Sequence, residues 1–531
     1  MYTHSLSLPT KIKLLLQKGL LDTNIQLSNF LIAKGVSDAI RTSLGPHGMD
    51  KVILSDNEIL ITNDGATIMK NAKFDHPVAK LLVNVSESQD SEVGDGTTSV
   101  IILSGSLLGA SINLIRRGIP GNRLTKCLGI FLEETKKILL KIAIPINLKS
   151  SNTLYSAACT ALESKVISSH CHILAPIVVK SILSIIDKKK SFNVDLKRIK
   201  LIKKIGGTIE QTELINGIAI DYPVIKSYGG PNNMINAKVA LIQFSISSPS
   251  TDTDNLIVIE NYAHMDKLLK EEKQLIISFC RKIKSTGCNV ILSQKSILKE
   301  SMCDYAIQIF AQMKIMLVRD IERDEFLFIA DSLGCIPIID IETFSSDKLG
   351  SVDQIEEKNY NAQKVLIFKG VRNPRIKSST ILIRSSNKHL LEETERSLHD
   401  ALCVMRSIIR RRFLITGGGA MEIEVALSLK QYGKTLTGIN SYCFNAFAHS
   451  LEIIPYTLCE NAGLEPIEII SRMKKYHMNG KKTIGINTRR GILGNMIKEN
   501  IISPLLVATS IFNMSVEFAI QLLKIDSIIE T

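Results

Sequence analysis

The stretch that decides the fold is GDGTTS, made of Gly94, Asp95, Gly96, Thr97, Thr98 and Ser99. Its two glycines allow the backbone to turn tightly and to approach a ligand closely. The aspartate is a carboxylate of the kind that binds Mg²⁺, and the Thr-Thr-Ser segment opens an apolar run that predicts a buried helix. Main-chain N–H groups at a helix N-terminus bind phosphate. The stretch therefore predicts a phosphate-binding loop, although the same letters are also typical of a plain helix cap.

Three more glycine loops lie at a distance along the chain. They are LGPHG (Leu44–Gly48), TNDGAT (Thr62–Thr67) and GGGA (Gly417–Ala420). Each loop alone is typical of a turn or a flexible link. The common nucleotide loop is absent, because Ser428 stands where that motif needs glycine before Gly433-Lys434-Thr435. The loops carry meaning only as an ordered set.

The first 145 residues are predicted to be mainly helical, with the glycine turns between elements. Apolar residues recur at helical spacing from Ile25 to Leu44, and two β-branched runs predict a hairpin. The predicted hairpin strands are Lys51–Leu54 and Glu58–Thr62, and predicted helices follow from Ala66, over Val78–Ser91 and from Thr97.

The character changes between Gly206 and Ile367, where β-branched runs alternate with amphipathic helices. The predicted strands are Val239–Phe244, Asn289–Ser293, Lys314–Val318 and Ile336–Ile339, with a helix over Tyr262–Ser285. From Leu390 onward the pattern is helical again. This order predicts that the two chain ends pack together and that the α/β region is inserted between them.

Composition excludes several classes of protein. The chain has 531 residues, 45% hydrophobic and 22% charged, which is globular and too long for one core. Its net charge of +13 is spread out, with no zinc-finger or RNA-binding signature, so no nucleic-acid partner is predicted. Ten cysteines without a CxxC pair favour a reducing compartment, and His170-Cys171-His172 lacks the second ligand pair of a metal site.

Two apolar stretches and the N-terminus bear on location. Ile101–Ile115 is short for a membrane span, and Ile501–Ile525 carries proline and charges, so both are predicted to be buried helices. Lysines alternate with leucines before residue 20, but arginine and a cleavage site are missing. A cytosolic tail is therefore favoured over a transit peptide, and we expect a cytoplasmic protein without a membrane partner.

Together, the loops in this order resemble those of the group II chaperonins, the thermosome and TRiC family. The resemblance runs from about Asn29 to Ile529, and further matching segments are Glu163–Lys165, Gly206–Ile209, Glu395–Leu402, Pro455–Gly463 and Gly485–Asn487. Within the family the chain is most similar to the delta subunits, on the segments Ser247–Asn255, Gly287–Ile297, Met313–Glu325 and the ending from Ser503.

The resemblance implies a multidomain α and α/β chaperonin fold. Its parts are a mainly helical equatorial ATPase domain (1–145 and 402–531), a small intermediate hinge domain (146–213 and 367–401) and an α/β apical domain (214–366). The apical domain binds substrate and has a helical protrusion, about residues 247–276, that acts as a lid.

It also implies an ATPase whose hydrolysis of ATP, with Mg²⁺, closes the lid over enclosed client proteins of the actin and tubulin type. The implied partners are paralogous subunits in an eight-membered double ring and unfolded proteins. Two alternatives stay open: a subunit that binds nucleotide with little hydrolysis, and a nucleic-acid-binding ATPase suggested by the net charge.

The family's nucleotide contacts map onto loop positions of this sequence. Asp95 matches the Mg²⁺ ligand, and Gly418 and Gly485 match contacts on the ribose and adenine side. The remaining matched contacts are Gly45, Pro46, Gly94, Gly96, Thr97, Thr98, Ser99 and Ser164.

Three charged residues match the family's hydrolytic roles. Asp64 matches a carboxylate beside the γ-phosphate, Lys165 a lysine that senses it, and Asp400 the aspartate that orients the attacking water. Asp400 also lies off the apolar stripe of its own helix, which is formed by Leu398, Ala401, Leu402, Met405 and Ile409. Taken alone, that position is also typical of a solvated surface aspartate.

Three positions depart from the family pattern. His47 stands where lysine is usual, Glu163 where the delta-type loop has asparagine, and Ser503 where relatives have an acidic residue near the ribose.

Overall fold

The computed structural model describes residues 25–54, 59–148, 151–186, 193–247, 262–296, 300–361, 363–371 and 377–525. The chain divides into two compact units. Unit 1 comprises residues 1–179, 188–194 and 392–531, and unit 2 comprises residues 180–187 and 195–391. The first unit is thus built from both chain ends, as the helical pattern predicts. The three-domain division stays a prediction.

The helices of the described residues are numbered in chain order. They are α1 (Ile25–Ile40), α2 (Gly65–Asn71), α3 (Pro77–Glu92), α4 (Thr97–Arg116), α5 (Gly121–Ile142), α6 (Ser151–Glu163), α7 (Cys171–Ile185), α8 (Tyr262–Ser285), α9 (Asp304–Gln312), α10 (Arg323–Leu333), α11 (Lys388–Arg410), α12 (Ala420–Thr435), α13 (Ile439–Ser450), α14 (Ile453–Asn461), α15 (Pro466–Met478) and α16 (Leu505–Lys524).

The strands of the described residues are numbered in the same way. They are β1 (Lys51–Leu54), β2 (Ile59–Thr62), β3 (Ile144–Pro145), β4 (Ile199–Ile205), β5 (Glu213–Ile215), β6 (Gly217–Ile220), β7 (Asn233–Ile242), β8 (Val290–Gln294), β9 (Met316–Ile321), β10 (Gly350–Tyr360), β11 (Gln363–Val371), β12 (Ser379–Ser385), β13 (Phe413–Thr416), β14 (Ile484–Asn487), β15 (Ile492–Asn495) and β16 (Ile502–Pro504).

Unit 1 has a helical core in which α4 and α16 are central. Both helices are apolar on most faces, so both need burial on most faces. They pack against each other, α4 also contacts α1, and α16 also contacts α5. The helix predicted from Thr97 and the hairpin β1–β2 are both confirmed, and the hairpin pairs Val52 with Ile61 in antiparallel register.

Three helical stretches of the described residues are long and apolar enough to cross a membrane by length and composition. They are Thr97–Arg116, Ser168–Ile185 and Leu505–Lys524. The first and last have 61% and 67% of their apolar window buried inside the protein. They coincide with the two stretches predicted to be buried helices, so the core of unit 1 accounts for their hydrophobicity.

Unit 2 contains a six-stranded sheet in the order β6-β11-β10-β7-β8-β9. β7, β8 and β9 run parallel, and the other pairs are antiparallel. Alternating residues of β7 point to opposite faces: Val239 and Leu241 pack with α10, whereas Ala240 and Ile242 pack with α8 and α9. A three-stranded sheet, β4-β12-β5, completes this unit.

One predicted strand is wrong. Ile336–Ile339 contributes only an isolated parallel bridge between Ile338 and Ile242. Pro337 lies within the run, lacks an N–H group and so cannot donate to a ladder. The other three predicted strands of this region are present, with ends shifted by up to six residues, as β7, β8 and β9.

Candidate functional site

The candidate site of unit 1 begins at the GDGTTS loop, which opens α4. Gly96 is the N-cap of α4 in the left-handed conformation, with φ +79°, and makes no side-chain cap. The first N–H groups of a helix have no intrahelical acceptors, so those of the Thr-Thr-Ser segment remain available to a ligand. A side chain at position 96 would meet Ile511 Cδ1 at 2.7 Å, so both the backbone angle and the packing require glycine.

The NDG turn places Asp64 beside this loop. Asp64 caps α2 by accepting hydrogen bonds from the Thr67 N–H (3.1 Å) and the Thr67 hydroxyl (2.7 Å). The Thr97 hydroxyl of α4 donates to its other oxygen at 3.4 Å. A capping aspartate therefore joins the start of α2 to the start of α4.

Lys165 lies between two carboxylates from distant parts of the chain. Its Nζ is 3.1 Å from Asp64 Oδ1 and 2.7 Å from Asp400 Oδ2. The three side chains are only 10–12% exposed. Lys165 follows α6 in a turn closed by its N–H to Leu162 O, and Asp400 lies on α11. Taken alone, the position of Asp400 on its helix is typical of a solvated surface residue, but in the structure this side chain is buried.

Burial and the shared lysine set the protonation of the cluster. Burial alone would raise the pKa of Asp64, but Lys165 and the Thr67 hydrogen bonds outweigh it and lower this pKa to about 2. Burial raises the pKa of Asp400 well above its usual value, and Lys165 offsets only part of this. The carboxylates raise the pKa of Lys165 well above its usual value although burial opposes them. Asp64 and Lys165 are therefore firmly charged, and Asp400 is the basic carboxylate of the cluster.

These elements surround an open cavity with about 400 Å³ of empty space, part of which is open to solvent. It is lined by Ser43, Leu44, Gly45, Asn63, Asp64, Asp95, Gly96, Thr97, Thr98, Ser99, Ser164 and Lys165. Nine of these residues are in the predicted set. The other three are Ser43, Leu44 and Asn63. Leu44 and Asn63 lie within the LGPHG and TNDGAT loops, so their place in those loops could have indicated them.

Five predicted residues do not line the cavity: Pro46, Gly94, Asp400, Gly418 and Gly485. Asp400 reaches it through Lys165, and Gly94 supports the loop from behind, against Cys403. Gly418 and Gly485 lie against each other, because a side chain at 485 would meet Gly418 O at 2.9 Å. Their shared contact joins the GGGA loop to β14.

Asp95 is the candidate metal ligand. Its Oδ1 accepts the Gly96 N–H at 2.7 Å, and burial raises its pKa while Lys165 opposes the shift. Among the described residues there is no group of three or more His, Cys, Asp or Glu side chains that could hold a metal alone. Mg²⁺ is commonly held by one or two carboxylates together with substrate phosphates. Asp95 lines the same cavity as Asp64 and Lys165, and the one lysine is already shared by Asp64 and Asp400, so the charge of these residues fits such an ion.

The three departures from the family pattern lie at the edges of this arrangement. His47 is exposed, Glu163 is 3.4 Å from Arg489 Nη2, and Ser503 pairs with Ile415 between β16 and β13. None of the three is among the residues that line the cavity.

Comparisons with known proteins identify the family. The TCP-1/cpn60 chaperonin family matches residues 36–531. T-complex protein 1 subunit delta of Dictyostelium discoideum is 48% identical over 508 residues, which cover 96% of this chain and 95% of that protein. The protein of the same name from Schizosaccharomyces pombe is 47% identical over 95% of this chain and 96% of its own length. The one from Homo sapiens is 45% identical over 96% of this chain and 94% of its own length. The resemblance drawn from the sequence motifs is confirmed: the chain belongs to the TCP-1/cpn60 chaperonin family.

Proposed function

We propose that this chain is an ATP-hydrolysing, delta-type subunit of a hetero-oligomeric cytoplasmic chaperonin. Its partners are paralogous subunits in an eight-membered double ring and unfolded client proteins, of which actin- and tubulin-type chains are the implied class. The support is the chaperonin family match over residues 36–531 together with relatives that carry the delta name along nearly their full length. Nucleotide binding is a property that this family implies.

The binding roles follow the cavity. The N–H groups at the start of α4, with Gly45 of the LGPHG turn, suit the phosphates because they present donors without bulky side chains. Pro46, Gly94 and Ser164 support the same loops, and Gly418 with Gly485 forms the ribose and adenine side. Asp95 holds Mg²⁺, which when bound neutralises charge on the phosphates.

One observation carries the hydrolytic proposal: Lys165 is shared, while buried, between Asp64 and Asp400. Phosphoryl transfer to water requires positioning and charge stabilisation more than covalent chemistry. Asp400, the basic carboxylate, is suited to orient the attacking water and to accept its proton. Lys165 contacts the γ-phosphate, and Asp64 fixes Lys165 and the start of α2.

The domain division 1–145, 146–213, 214–366, 367–401 and 402–531 remains part of the proposal, with ATP hydrolysis driving closure of a lid at about 247–276. Residues 248–261 of that lid lie outside the described residues. The described part, the first turns of α8, carries Tyr262, Met265, Leu268 and Leu269 with exposed fractions of 41–82%. Exposed apolar side chains on a charged helix suit a surface that other protein segments cover.

The test separates binding from hydrolysis in the purified assembly. Asp95→Ala should weaken Mg·ATP affinity at least tenfold, since it removes a ground-state ligand. Asp400→Ala should leave ATP affinity within about twofold and lower kcat about 100-fold, since it removes a group needed in the transition state. An equal loss of affinity in both variants would refute this division. An Asp400→Ala rate equal to that of the unchanged protein would favour the alternative, a subunit that binds nucleotide with little hydrolysis.

A further inference from the structure

One glutamine lies on the face of α3 that packs into the core of unit 1. The buried residues of this helix are Val78, Ala79, Leu82, Ser86 and Gln89, and Gln89 is 0% exposed. Moving an amide from water into the interior costs free energy unless its carbonyl and its N–H₂ group both find partners. The contacts of Gln89 therefore decide why a polar side chain occupies this position.

The Gln89 side chain has a partner at each end of its amide. Its Nε2 donates to the main-chain oxygen of Asp95 at 2.8 Å, and its Oε1 accepts from the Ser510 hydroxyl of α16 at 2.6 Å. Ser510 is itself buried, with 6% exposed. A carbonyl oxygen can only accept, so the N–H₂ group must be the end that faces Asp95. Gln89 thus connects α16 to the GDGTTS loop.

The contact reaches the Asp95 carboxylate through a single peptide unit. In a trans peptide the C=O and the next N–H lie in one plane and point in opposite directions. Because the C=O of Asp95 points to Gln89, the N–H of Gly96 points away from it, and this N–H donates to Asp95 Oδ1 at 2.7 Å. A hydrogen bond that fixes this peptide plane therefore also orients the candidate metal ligand.

The main chain of Gln89 contacts the same turn from its other side. Its carbonyl accepts the N–H of Val93 at 3.0 Å and the N–H of Gly94 at 3.2 Å. Residue 89 therefore contacts the loop both before and after its first aspartate begins. A substitution at this position leaves the main-chain bonds in place, so the contribution of the side chain can be measured alone.

We propose that Gln89 is a positioning residue of the nucleotide site, which is anchored by Ser510 and holds the Asp95–Gly96 peptide so that the Asp95 carboxylate faces Mg²⁺. Gln89 acts through Asp95 and is not among the residues that line the cavity. This inference rests on the proposed function for its binding arm only. The orientation of the peptide is a structural consequence that exists without nucleotide.

The binding arm compares the ADP affinity of Gln89→Met with that of the unchanged protein, in Mg²⁺ and in EDTA. Protection of a peptide spanning residues 90–100 from hydrogen exchange, titrated with ADP in the purified assembly, reports binding at this subunit's own site. Methionine has a similar length but cannot donate to Asp95. We expect the Kd for ADP to rise about fivefold in Mg²⁺, the usual effect of one lost hydrogen bond, and to stay within twofold in EDTA. Equal losses in Mg²⁺ and in EDTA would show a merely structural role and would overturn the inference.

Ser510→Ala tests the anchor without altering the glutamine. Its matched control is Ser515→Ala, because Ser515 is also buried on α16 but its hydroxyl donates to Ile511 O of the same helix at 2.7 Å. Ser510→Ala should raise the Kd for ADP in Mg²⁺ about threefold, as expected for a weakened hydrogen bond, and Ser515→Ala should leave it unchanged. If Ser510 acts through Gln89, the double variant binds no more weakly than Gln89→Met alone, whereas multiplied losses would overturn this route.

Hydrogen exchange without nucleotide or metal supplies the independent readout. Gln89→Met should speed exchange of the Gly96 amide, resolved by overlapping peptides, about fivefold, and Ser515→Ala should leave it unchanged. Unchanged exchange in both Gln89→Met and Ser510→Ala would refute the inference. An unchanged assembly in which ADP gives this peptide no protection would refute the proposed function instead, and exchange without nucleotide would still decide this inference.

Discussion

Replacing Lys165 with methionine removes the cation that Asp64 and Asp400 share. Methionine has a similar length and fills the space, so the change is mainly one of charge. Asp64 keeps its hydrogen bonds from Thr67, but Asp400 loses its 2.7 Å ion pair inside the protein. Lys165→Met therefore leaves two neighbouring buried carboxylates without their counter-ion.

The size of the effect follows from burial. Breaking a buried ion pair by removing one partner costs about 3–5 kcal/mol, because the other charge stays buried. A unit of this size loses about 2 °C of Tm per kcal/mol, so Tm should fall by about 6–10 °C at pH 7. Adding Asp400→Asn removes one stranded charge and should restore more than half of that loss. Hydrolysis should stay absent in both variants.

The assay is thermal unfolding of the purified assembly, with Lys430→Met as the matched control. Lys430 also pairs with a buried carboxylate, Glu452, at 2.7 Å, but Glu452 keeps a second lysine, Lys474, also at 2.7 Å. Lys430→Met should therefore lower Tm by less than half as much. A Lys165→Met protein that melts within 2 °C of the unchanged one, or one that Asp400→Asn fails to rescue, would refute the reasoning.

Three further predictions concern single sites. Burial raises the pKa of Glu422 from 4.5 to about 7, so this acid destabilises the fold as pH rises from about 4.5 to 7. Glu422→Gln should therefore raise the free energy of unfolding by about 3 kcal/mol at pH 8 and by little at pH 4, as measured by denaturant unfolding. The pKa of Asp64 is lowered from 3.8 to about 2, so its contribution to the free energy of unfolding, about 2 kcal/mol, is present above pH 4 and lost as pH falls to 2. The difference in stability between the unchanged protein and Asp64→Asn should close over that pH range. Gly94→Ala would place Cβ 2.4 Å from Cys403 Cβ, whereas Gly118 also has a positive φ but a Cβ there would meet no atom within 4 Å. Gly94→Ala should therefore lower Tm more than Gly118→Ala does, and equal losses of Tm would contradict the packing argument.

Local patterns predicted the parts of the fold that local forces decide. The hairpin β1–β2 and the helix from Thr97 were predicted because β-branched runs and apolar periodicity act within about 20 residues. The prediction failed at Ile336–Ile339, because it followed the apolar run and did not take into account that Pro337 has no N–H group to donate to a strand.

The site was predicted less completely, because its decisive contacts join distant segments. GDGTTS and NDG indicate a phosphate loop and a turn, but no pattern shows that Lys165 reaches both Asp64 and Asp400. The family resemblance supplied the roles, and only the packing of α11 supplied the distances.

The assembly of unit 1 from both chain ends has a consequence during synthesis. Asp400 leaves the ribosome about 235 residues after Lys165, and α16, which packs against α4, begins about 390 residues after α4 ends. At 5–20 residues per second the first gap lasts roughly 12–50 s. During that time α4 has no partner on one side and Lys165 has only Asp64. The growing chain thus displays apolar surface until α16 has been made, and a ribosome that stalls before residue 505 would release a protein prone to aggregate.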